Sequence, residues 1–424
     1  MTLRRQLVLL FIRMAALGLR FVFFALFFRY SEALYGQYGL VAVSITLGTY
    51  LLGMEFYTYV QREWLRPGRE LHNPFWHQLL FYAILYPLIL PLFLLLFYYG
   101  FLDWQYAGWF FAVLVAEHLA MEVFRLLFLV GRPLWANVNL FLRNGLWVLP
   151  ALWQMYAGGG LDIGDLLRYW FAGDLLALTT VLAARRDAWR ALLPERKLQM
   201  QWIWRGWRIA LPFFVAALSF KLVEFADRYV IDAFMNKVSL GVYTFFSNMA
   251  MLVNTVVYTA VISVLYPQVV KTLMNNDADK PDSEAGIIET DSDNDNRTSA
   301  ISFLHFRHEI RKWTWIAAAA ALAGMPLLLF LLGKQNRLQY FDVFAVLVAA
   351  NAVYNFSMAW HFVLYARRRD RLIVNSAVMA AVLNLVLNLV AVPLWGLRGA
   401  AWATLASMGL IWWLKWRGGR RVWA

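Results

Sequence analysis

Residues 78–100 read QLLFYAILYPLILPLFLLLFYYG, a run without a charged side chain. In a bilayer a helix satisfies its own backbone hydrogen bonds, and about 20 apolar residues cross the hydrocarbon core of roughly 30 Å. The run therefore predicts a membrane-spanning helix. Similar windows recur along the chain, so the fold class is predicted to be an all-α membrane protein with twelve transmembrane helices. The predicted spans are residues 7–29, 38–60, 78–100, 106–130, 134–156, 164–184, 207–227, 240–265, 313–333, 340–364, 373–393 and 396–414.

The composition supports a membrane protein. Apolar residues make up 62% of the chain and charged residues 15%, against about 25% charged residues in an ordinary soluble domain. The net charge is +13, but the basic residues lie in short clusters between apolar runs, which indicates membrane topology and not a nucleic-acid partner. The absence of cysteine excludes disulfides and thiolate metal sites. The first apolar run lacks a cleavage pattern, so we expect it to be retained as a span.

The basic residues in the loops and at the ends of the predicted spans are distributed unevenly between the two sides of the membrane. With twelve spans, 27 Lys and Arg residues in loops or within three residues of a span end fall on one side and 6 on the other. Basic residues in short loops accumulate on the cytoplasmic side, and the asymmetry would be lost if one span were missed or invented. The sequence therefore predicts a multi-pass protein of the bacterial inner membrane with both termini in the cytoplasm.

The longest basic connector, Arg185 to Arg208, follows the sixth span and divides the spans into two sets of six. The predicted organisation is an N-terminal six-helix bundle (1–190), a cytoplasmic connector (191–206) and a C-terminal six-helix bundle (207–424). Two such parallel repeats are expected to enclose a central cavity where they meet, with the substrate bound there.

The C-terminal half contains an acidic segment between the eighth and ninth spans. Residues 277–296 hold eight acidic residues and one lysine in twenty positions. A segment of this composition buries too little apolar surface to order itself. Residues 275–300 are therefore predicted to form a disordered cytoplasmic loop, and docking of a partner is the less favoured interpretation.

Charged residues inside the predicted spans are the candidate functional groups. A charge at the bilayer centre costs at least about 2.5 kcal/mol on insertion scales, so each one needs a partner or a water-filled cavity. The predicted cavity is cationic or neutral, which favours an anionic, phosphate-bearing substrate because guanidinium groups bind phosphate oxygens bidentately. The cations are Arg13, Arg20, Arg125, Arg143, Arg168, Lys221 and Arg228, and the carboxylates are Glu117, Glu122, Asp174, Glu224 and Asp227.

Helical spacing separates these charges into two groups. Glu122 with Arg125, and Lys221 with Glu224 and Arg228, lie three or four residues apart, and a purely structural pairing is as good an interpretation as a functional one. The second group consists of arginines without a partner at that spacing in their own helices. For this second group, Arg20 and Arg143, lining of the cavity is the favoured interpretation.

Amides at helical spacing lie in the second half of the chain. Asn351 is four residues from Asn355, and Asn384 is four residues from Asn388. Such pairs often form hydrogen bonds between membrane helices, which is the favoured interpretation. If they face a cavity, they are suited to bind the hydroxyl groups of a sugar.

Twelve spans in two sixes, together with three short motifs, resemble the polysaccharide-transporter (O-antigen) flippases, whose superfamily also contains multidrug and toxin extruders. The acidic segment has no counterpart in that family. The lack of two further C-terminal spans argues against its lipid II flippase branch. The motifs are Tyr35-Gly36-Gln37-Tyr38-Gly39, Asp227-Arg228-Tyr229-Val230-Ile231 and Leu240-Gly241-Val242-Tyr243.

The resemblance implies a V-shaped fold of two bundles and alternating access for an undecaprenyl-diphosphate-linked oligosaccharide, coupled to a proton or sodium gradient. It further implies a cationic cavity that contacts the diphosphate while the lipid tail stays among the membrane lipids, and a polysaccharide polymerase and chain-length regulator as possible partners. We expect Arg20 and Arg143 to bind the diphosphate, with the other embedded cations assisting and the amides contacting the sugar. We expect protonation of an embedded carboxylate, above all Glu117 or Asp174, to bias the inward-facing against the outward-facing state.

Two alternatives remain open on the sequence. The first is a multidrug or metabolite exporter of the same superfamily. The second is a membrane glycosyltransferase or polysaccharide polymerase, which would need acid and base residues in an extramembrane region, whereas the outer loops are short and poor in carboxylates. We find no nucleophile with a base, no metal-ligand cluster and no phosphate-binding glycine loop, so no catalytic residue, metal or cofactor is predicted.

Overall fold

The computed structural model describes residues 3–68, 73–183, 193, 198–266, 269–270, 272 and 292–423. Throughout this part every regular element is helical. Most of the predicted acidic loop and residues 191–192 and 194–197 of the predicted connector lie outside the described residues. A helix begins at Ser292, inside the range 275–300 that the sequence predicts to be disordered, because this helix continues upstream of its apolar part.

Fifteen α-helices make up the described chain. They are α1 (Leu3–Tyr30), α2 (Glu32–Gly53), α3 (Phe56–Leu65), α4 (Pro74–Ile89), α5 (Leu94–Tyr98), α6 (Ala107–Leu129), α7 (Pro133–Phe141), α8 (Val148–Tyr156), α9 (Ile163–Thr179), α10 (Met200–Phe234), α11 (Lys237–Ala250), α12 (Leu252–Val257), α13 (Ser292–Leu331), α14 (Phe341–Ala366) and α15 (Asp370–Trp423). Short 3₁₀ turns and two π turns, Leu142–Leu146 and Tyr258–Ile262, join or extend them.

The described helices accommodate twelve spanning segments, in agreement with the predicted number. Eight helices are long and apolar enough on their own, and α2 with α3, bent by 50°, makes a ninth. Three more spanning segments cannot be recognised from helix length and hydropathy alone, each for a physical reason. α6 carries three embedded charges, a π turn interrupts α7 and α8, and α15 contains two helices that meet at Gly396, where φ is 58° and ψ −136°.

Local sequence signals set several helix ends. Gly131 has a φ of 74°, which glycine adopts without strain, and Pro133 occupies the first turn of α7. The proline needs no backbone donor there, so the Gly-Arg-Pro turn separates two apolar runs. At the start of α9, Asp162 and Asp165 form a capping box in which each side chain accepts a hydrogen bond from the other residue's backbone N–H.

The chain divides into two compact units. The first contains Met1–Leu218 and Asn236–Gly241, and the second contains Ser219–Met235 and Val242–Ala424. The first unit has an aromatic core around Phe56, Phe81 and Trp202. The boundary within α10 lies downstream of the connector predicted from the charge pattern, whose role as a linker stays a prediction.

Two of the motifs quoted above meet inside the first unit. Gly36 of α2 lies against the backbone of Lys237 and Gly241 in α11, and Gly241 lies against the carbonyl group of Glu32. A Cβ atom at either glycine would overlap backbone atoms, which cannot move as a side chain can. Glycine is therefore required at both positions for the helices to approach this closely.

Replacement of Gly241 by Ala should destabilise the protein, because the added methyl group would force α2 and α11 apart. We expect a loss of about 1–3 kcal/mol, typical of overpacking, visible as a lower midpoint of thermal unfolding of the detergent-purified protein. Gly18→Ala is the matched control, since nothing lies within 4 Å of a Cβ at that helical position. An unchanged midpoint for Gly241→Ala would contradict the close approach.

Candidate functional site

Two arginines of α1 are held by amides of the fifth span. Arg13 Nε donates to Asn137 Oδ1 at 2.5 Å, and Arg20 Nη1 donates to Asn144 Oδ1 at 3.4 Å. In both pairs the residue number advances by seven in the same direction, so the two spans run parallel, as the three spans between them require.

The amides are themselves fixed to their own helix. Asn137 and Asn144 each donate a side-chain N–H to the carbonyl group four residues earlier, at 2.6 and 3.3 Å. Each therefore presents its oxygen to the arginine. An amide oxygen orients a guanidinium group but leaves its positive charge uncompensated.

No carboxylate among the described residues forms an ion pair with Arg13 or Arg20. Arg20 instead lies over the ring of Phe24, 5.3 Å from its centroid, and Arg13 lies 5.9 Å from that of Phe128. Arg13 is exposed and Arg20 is half-buried. Two accessible cations on one face of α1 therefore remain able to bind an anion.

A second charged group joins three neighbouring spans. Arg143 Nη1 lies 3.2 Å from Glu117 Oε1, and Trp170 Nε1 donates to Glu117 Oε2 at 3.1 Å. The π turn Leu142–Leu146 carries Arg143 to this position, and such turns are frequent at functional sites. Unlike the two arginines of α1, Arg143 is compensated by a carboxylate.

The carboxyl group of Asp174 in α9 completes this group. It is fully buried, it faces Glu117, and the charge of Arg143 acts on it. No N–H or hydroxyl group of the described residues donates to either oxygen. One cation therefore serves two carboxyl groups, and a bound proton or metal cation would complete the balance of charge. We name Glu117, Arg143 and Asp174 the carboxylate triad.

Aromatic side chains cover the triad toward the end of the unit at which α1 ends and α2 begins. Trp147 and Trp170 stack at 5.6 Å with an interplanar angle of 6°, and Phe23 and Tyr38 meet Trp147 at 5.3 and 6.3 Å. The charges of Arg20 and Glu117 act on the Tyr38 hydroxyl. These rings are buried, and electrostatic interactions are stronger in such a low-dielectric environment.

A third group lies further along α6. Glu122 and Arg125 form the ion pair that their spacing predicts, and Gln78 Nε2 donates to Glu122 Oε2 at 2.6 Å. The guanidinium group of Arg125 lies over the ring of Tyr57, 3.5 Å from its centroid. Arg125 is therefore satisfied by a carboxylate and an aromatic face together.

The break between α2 and α3 lies beside this pair. Met54 and Glu55 have φ angles of 42° and 55°, a left-handed conformation that is uncommon for residues other than glycine. The charge of Arg125 acts on the carboxyl group of Glu55. Strained backbone of this kind often lies at functional sites. No role is predicted for Glu55 from the sequence, since nothing in the spacing of the residues there indicates the break.

The embedded charges of the second unit are paired internally. Lys221 Nζ donates to Glu224 Oε2 at 2.6 Å, as the spacing predicts. Arg228 is 1% exposed and donates to the carbonyl group of Glu224 at 2.8 Å and to Ser247 Oγ at 3.1 Å. Its side chain therefore contributes to the packing of the unit.

Asp227 lies next to Arg228 and is equally buried. Tyr243 donates its hydroxyl hydrogen to Asp227 Oδ2 at 2.5 Å, and Thr404 lies 3.5 Å from the same oxygen. Arg228 Nη1 lies 3.6 Å from the other oxygen. The Asp-Arg motif and the tyrosine of the Leu-Gly-Val-Tyr motif are thus parts of one buried network.

The amides of the second unit form two kinds of contact. Asn254 donates to Asn351 of another helix, whereas Asn388 donates to Asn384 Oδ1 in its own helix at 3.0 Å. Asn355 and Asn384 each have a buried side-chain nitrogen without an acceptor among the described residues. The interhelical bond agrees with the favoured interpretation, and contact with a sugar stays a prediction.

Arg168 lies near the beginning of α9. Its Nη1 atom is 2.9 Å from Asp165 Oδ1, and 55% of its side chain is exposed. Its side chain is therefore largely exposed. In the described part of the chain, no three His, Asp or Glu side chains are arranged to hold a metal ion.

The sequence missed the partners that other helices supply. Asn137 and Asn144 repeat the seven-residue interval of Arg13 and Arg20, which is the available signal. It becomes informative only once the first and fifth spans are known to be parallel neighbours. The pairing of Arg143 with Glu117 cannot be predicted from the spacing of these residues in the sequence, because they lie on different helices.

No protein-family model matches the sequence, and no curated protein sequence is significantly similar to it. Solved structures do match. One is a multidrug resistance MATE family transporter of the MOP superfamily in an inward-facing conformation, with 14% identity and a TM-score of 0.71 over 95% of this chain and 94% of that chain. The lipid II flippase MurJ in an inward closed conformation has 13% identity and a TM-score of 0.72, over 99% and 88%.

The chain has the fold of these transporters. The predicted all-α membrane fold class is thereby confirmed. At this level of identity the likeness is one of fold alone, so the substrate has to be argued from the residues of this chain.

Replacement of Arg143 by Met should destabilise the first unit, because two carboxyl groups would remain buried without a cation. Breaking a buried pair in this way costs about 3–5 kcal/mol. The double variant Glu117→Gln/Arg143→Met removes both charges and should recover most of that loss. Thermal unfolding of the three purified proteins measures this. A double variant no more stable than the single one would show that the pair does not account for the loss.

Proposed function

We propose that this protein is a flippase that moves an undecaprenyl-diphosphate-linked oligosaccharide from the cytoplasmic to the periplasmic leaflet of the bacterial inner membrane by ion-coupled alternating access. The observation that carries the proposal is the pair of arginines on α1, which are held by amide oxygens and not by carboxylates. The likeness of the fold to transporters, one of them a lipid II flippase, supports it.

The substrate class follows from the charge of the α1 pair. Arg13 and Arg20 lie two turns apart on one predicted face of α1, and each keeps its positive charge. A diphosphate offers oxygens to both guanidinium groups, and bidentate bonds in a low dielectric are strong. A cationic drug would be repelled. The diphosphate binds at this pair while the polyprenyl tail remains in the membrane lipids.

The carboxylate triad supplies the ion coupling. A proton or a sodium ion bound between Glu117 and Asp174 removes one negative charge that competes for Arg143. The freed guanidinium group then adds to the attraction for the diphosphate. By linkage, the ion and the anionic substrate increase each other's affinity in the state that binds both.

The other predicted residues have secondary roles in this proposal. The charges that are satisfied within their own groups hold helices together, and the free amide groups of the second unit contact the sugar. Both termini face the cytoplasm, as the distribution of basic residues indicates. A polysaccharide polymerase and a chain-length regulator are the expected partners on the pathway. The satisfied charges are Glu122, Arg125, Lys221, Glu224, Asp227 and Arg228.

Replacement of Arg20 by Ala should slow translocation by about tenfold or more, since each charge-assisted bond to phosphate is worth about 1.5–3 kcal/mol. Arg13→Ala should act in the same direction. The assay follows a polyprenyl-diphosphate-linked monosaccharide across proteoliposomes that contain the purified protein. Folding should be unaffected because the partners of both arginines are neutral.

Arg132→Ala is the matched control for this experiment, because it removes an exposed arginine of the same unit that is not among the predicted binding residues. Its translocation rate should equal that of the unsubstituted protein. Full activity of an Arg13→Ala/Arg20→Ala variant would overturn the assignment of the diphosphate site. Export of a cationic dye that continues without any lipid translocation would favour the alternative, a multidrug exporter of the same fold.

Replacement of Asp174 by Asn should uncouple transport from the ion gradient, because an amide cannot bind a proton or balance a sodium ion. Translocation by this variant should become independent of an imposed pH or sodium gradient. Imposing each gradient alone on proteoliposomes of the unsubstituted protein identifies the ion. A variant that responds to the gradient as strongly as the unsubstituted protein would remove Asp174 from the coupling mechanism.

A further inference from the structure

The second unit contains a basic aromatic pocket of about 310 Å³ between α13, α14 and α15. We call it the tryptophan pocket. It lies apart from the charged groups described above. Two arginines and four tryptophans line most of it: Arg307, Arg311, Trp315, Trp360, Trp412 and Trp416.

The charge of the pocket is positive. Arg307 lies over the ring of Trp360, 5.6 Å from its centroid, and the charge of Arg311 acts on it. No carboxylate lines the pocket, and Glu309 on the same helix pairs with Lys312. Within the described part of the chain, neither arginine has an anionic partner. Two like charges held side by side are stabilised by an anion between them.

The aromatic side chains form walls of different exposure. Trp360 is buried, at 6% exposed, whereas Trp315 is 63% exposed. Trp412 and Trp416 stack at 6.1 Å with an interplanar angle of 18°, and Arg420 extends the positive surface over Trp416 at 5.3 Å. The pocket therefore combines a buried aromatic wall with accessible arginines and exposed tryptophan rings.

The position of the pocket places it at a membrane boundary. Arg307 and Arg311 directly precede the predicted ninth span, 313–333, and the predicted twelfth span ends at residue 414 beside Trp416. Tryptophan is enriched at the level of the lipid headgroups, and basic residues are enriched on the cytoplasmic side. Basic pockets between membrane helices on that side are suited to lipid headgroups.

We propose that the tryptophan pocket binds the headgroup of an anionic glycerophospholipid from the cytoplasmic leaflet. The phosphate accepts hydrogen bonds from Arg307 and Arg311. The acyl chains leave along the exposed rings of Trp315 and Trp412, which a soluble phosphate would leave uncovered. The lipid bridges three helices of the second unit and stabilises them as a bound ligand does.

The test is native mass spectrometry of the full-length protein, purified in detergent and titrated with phosphatidylglycerol or with phosphatidylcholine. Phosphatidylglycerol should bind more tightly by about tenfold or more, as expected for charge-assisted bonds. In Arg307→Gln/Arg311→Gln that preference should be lost. Arg307→Lys/Arg311→Lys should keep part of it, because the charge is retained without the bidentate geometry.

The matched control is Arg369→Gln/Arg371→Gln, which removes two basic residues predicted on the same side of the membrane and away from the pocket. It should retain the preference for phosphatidylglycerol. Equal binding of the two lipids, or an equal loss in the control variant, would overturn the proposal. Displacement of the lipid by millimolar inorganic phosphate would show that the pocket recognises free phosphate instead. None of these outcomes bears on translocation, in which Arg307 and Arg311 have no proposed role.

Discussion

The cost of placing a charge in hydrocarbon governs the arrangement of this protein. Every arginine inside the membrane requires a partner, and the chemistry of that partner decides what the arginine can do next. Arg143 is paired with Glu117 and is neutralised, whereas Arg20 is held by Asn144 and keeps its charge. An amide thus gives the guanidinium group a hydrogen-bond acceptor but does not compensate its positive charge. The remaining attraction for an anion is what a carrier of phosphorylated lipids needs.

Irregular backbone accompanies the charged groups of the first unit. A π turn carries Arg143, and the consecutive left-handed residues Met54 and Glu55 lie beside Arg125. Regular helices would place these side chains at other angles around the helix axis, so the irregularities set the geometry of the groups. They also concentrate weak points of the backbone where charges are paired, and a change in pairing there is able to bend a span.

Much of the fold was predictable from the sequence, because a bilayer imposes length and hydropathy on each span. Ion pairs within one helix, such as Glu122 with Arg125, followed from spacing alone. Partners on different helices did not, since hydropathy locates a span but does not fix its rotation about its own axis. The pairing of Glu117 with Arg143 depends on that rotation and on the π turn. The approach of Gly36 to Gly241 likewise joins residues that no local pattern relates.

The two units use their cations differently. In the second unit Arg228 is enclosed by Ser247, a backbone carbonyl group and Asp227, so its charge is compensated by groups of the same unit. Arg307 and Arg311, which have no anionic partner among the described residues, lie instead at the predicted membrane boundary, where the guanidinium group of Arg307 lies over the ring of Trp360. In the first unit the uncompensated cations lie within a span. Because attraction between charges is stronger in the low dielectric of a span than at a membrane boundary, the two sets of cations are expected to differ in their affinity for phosphate.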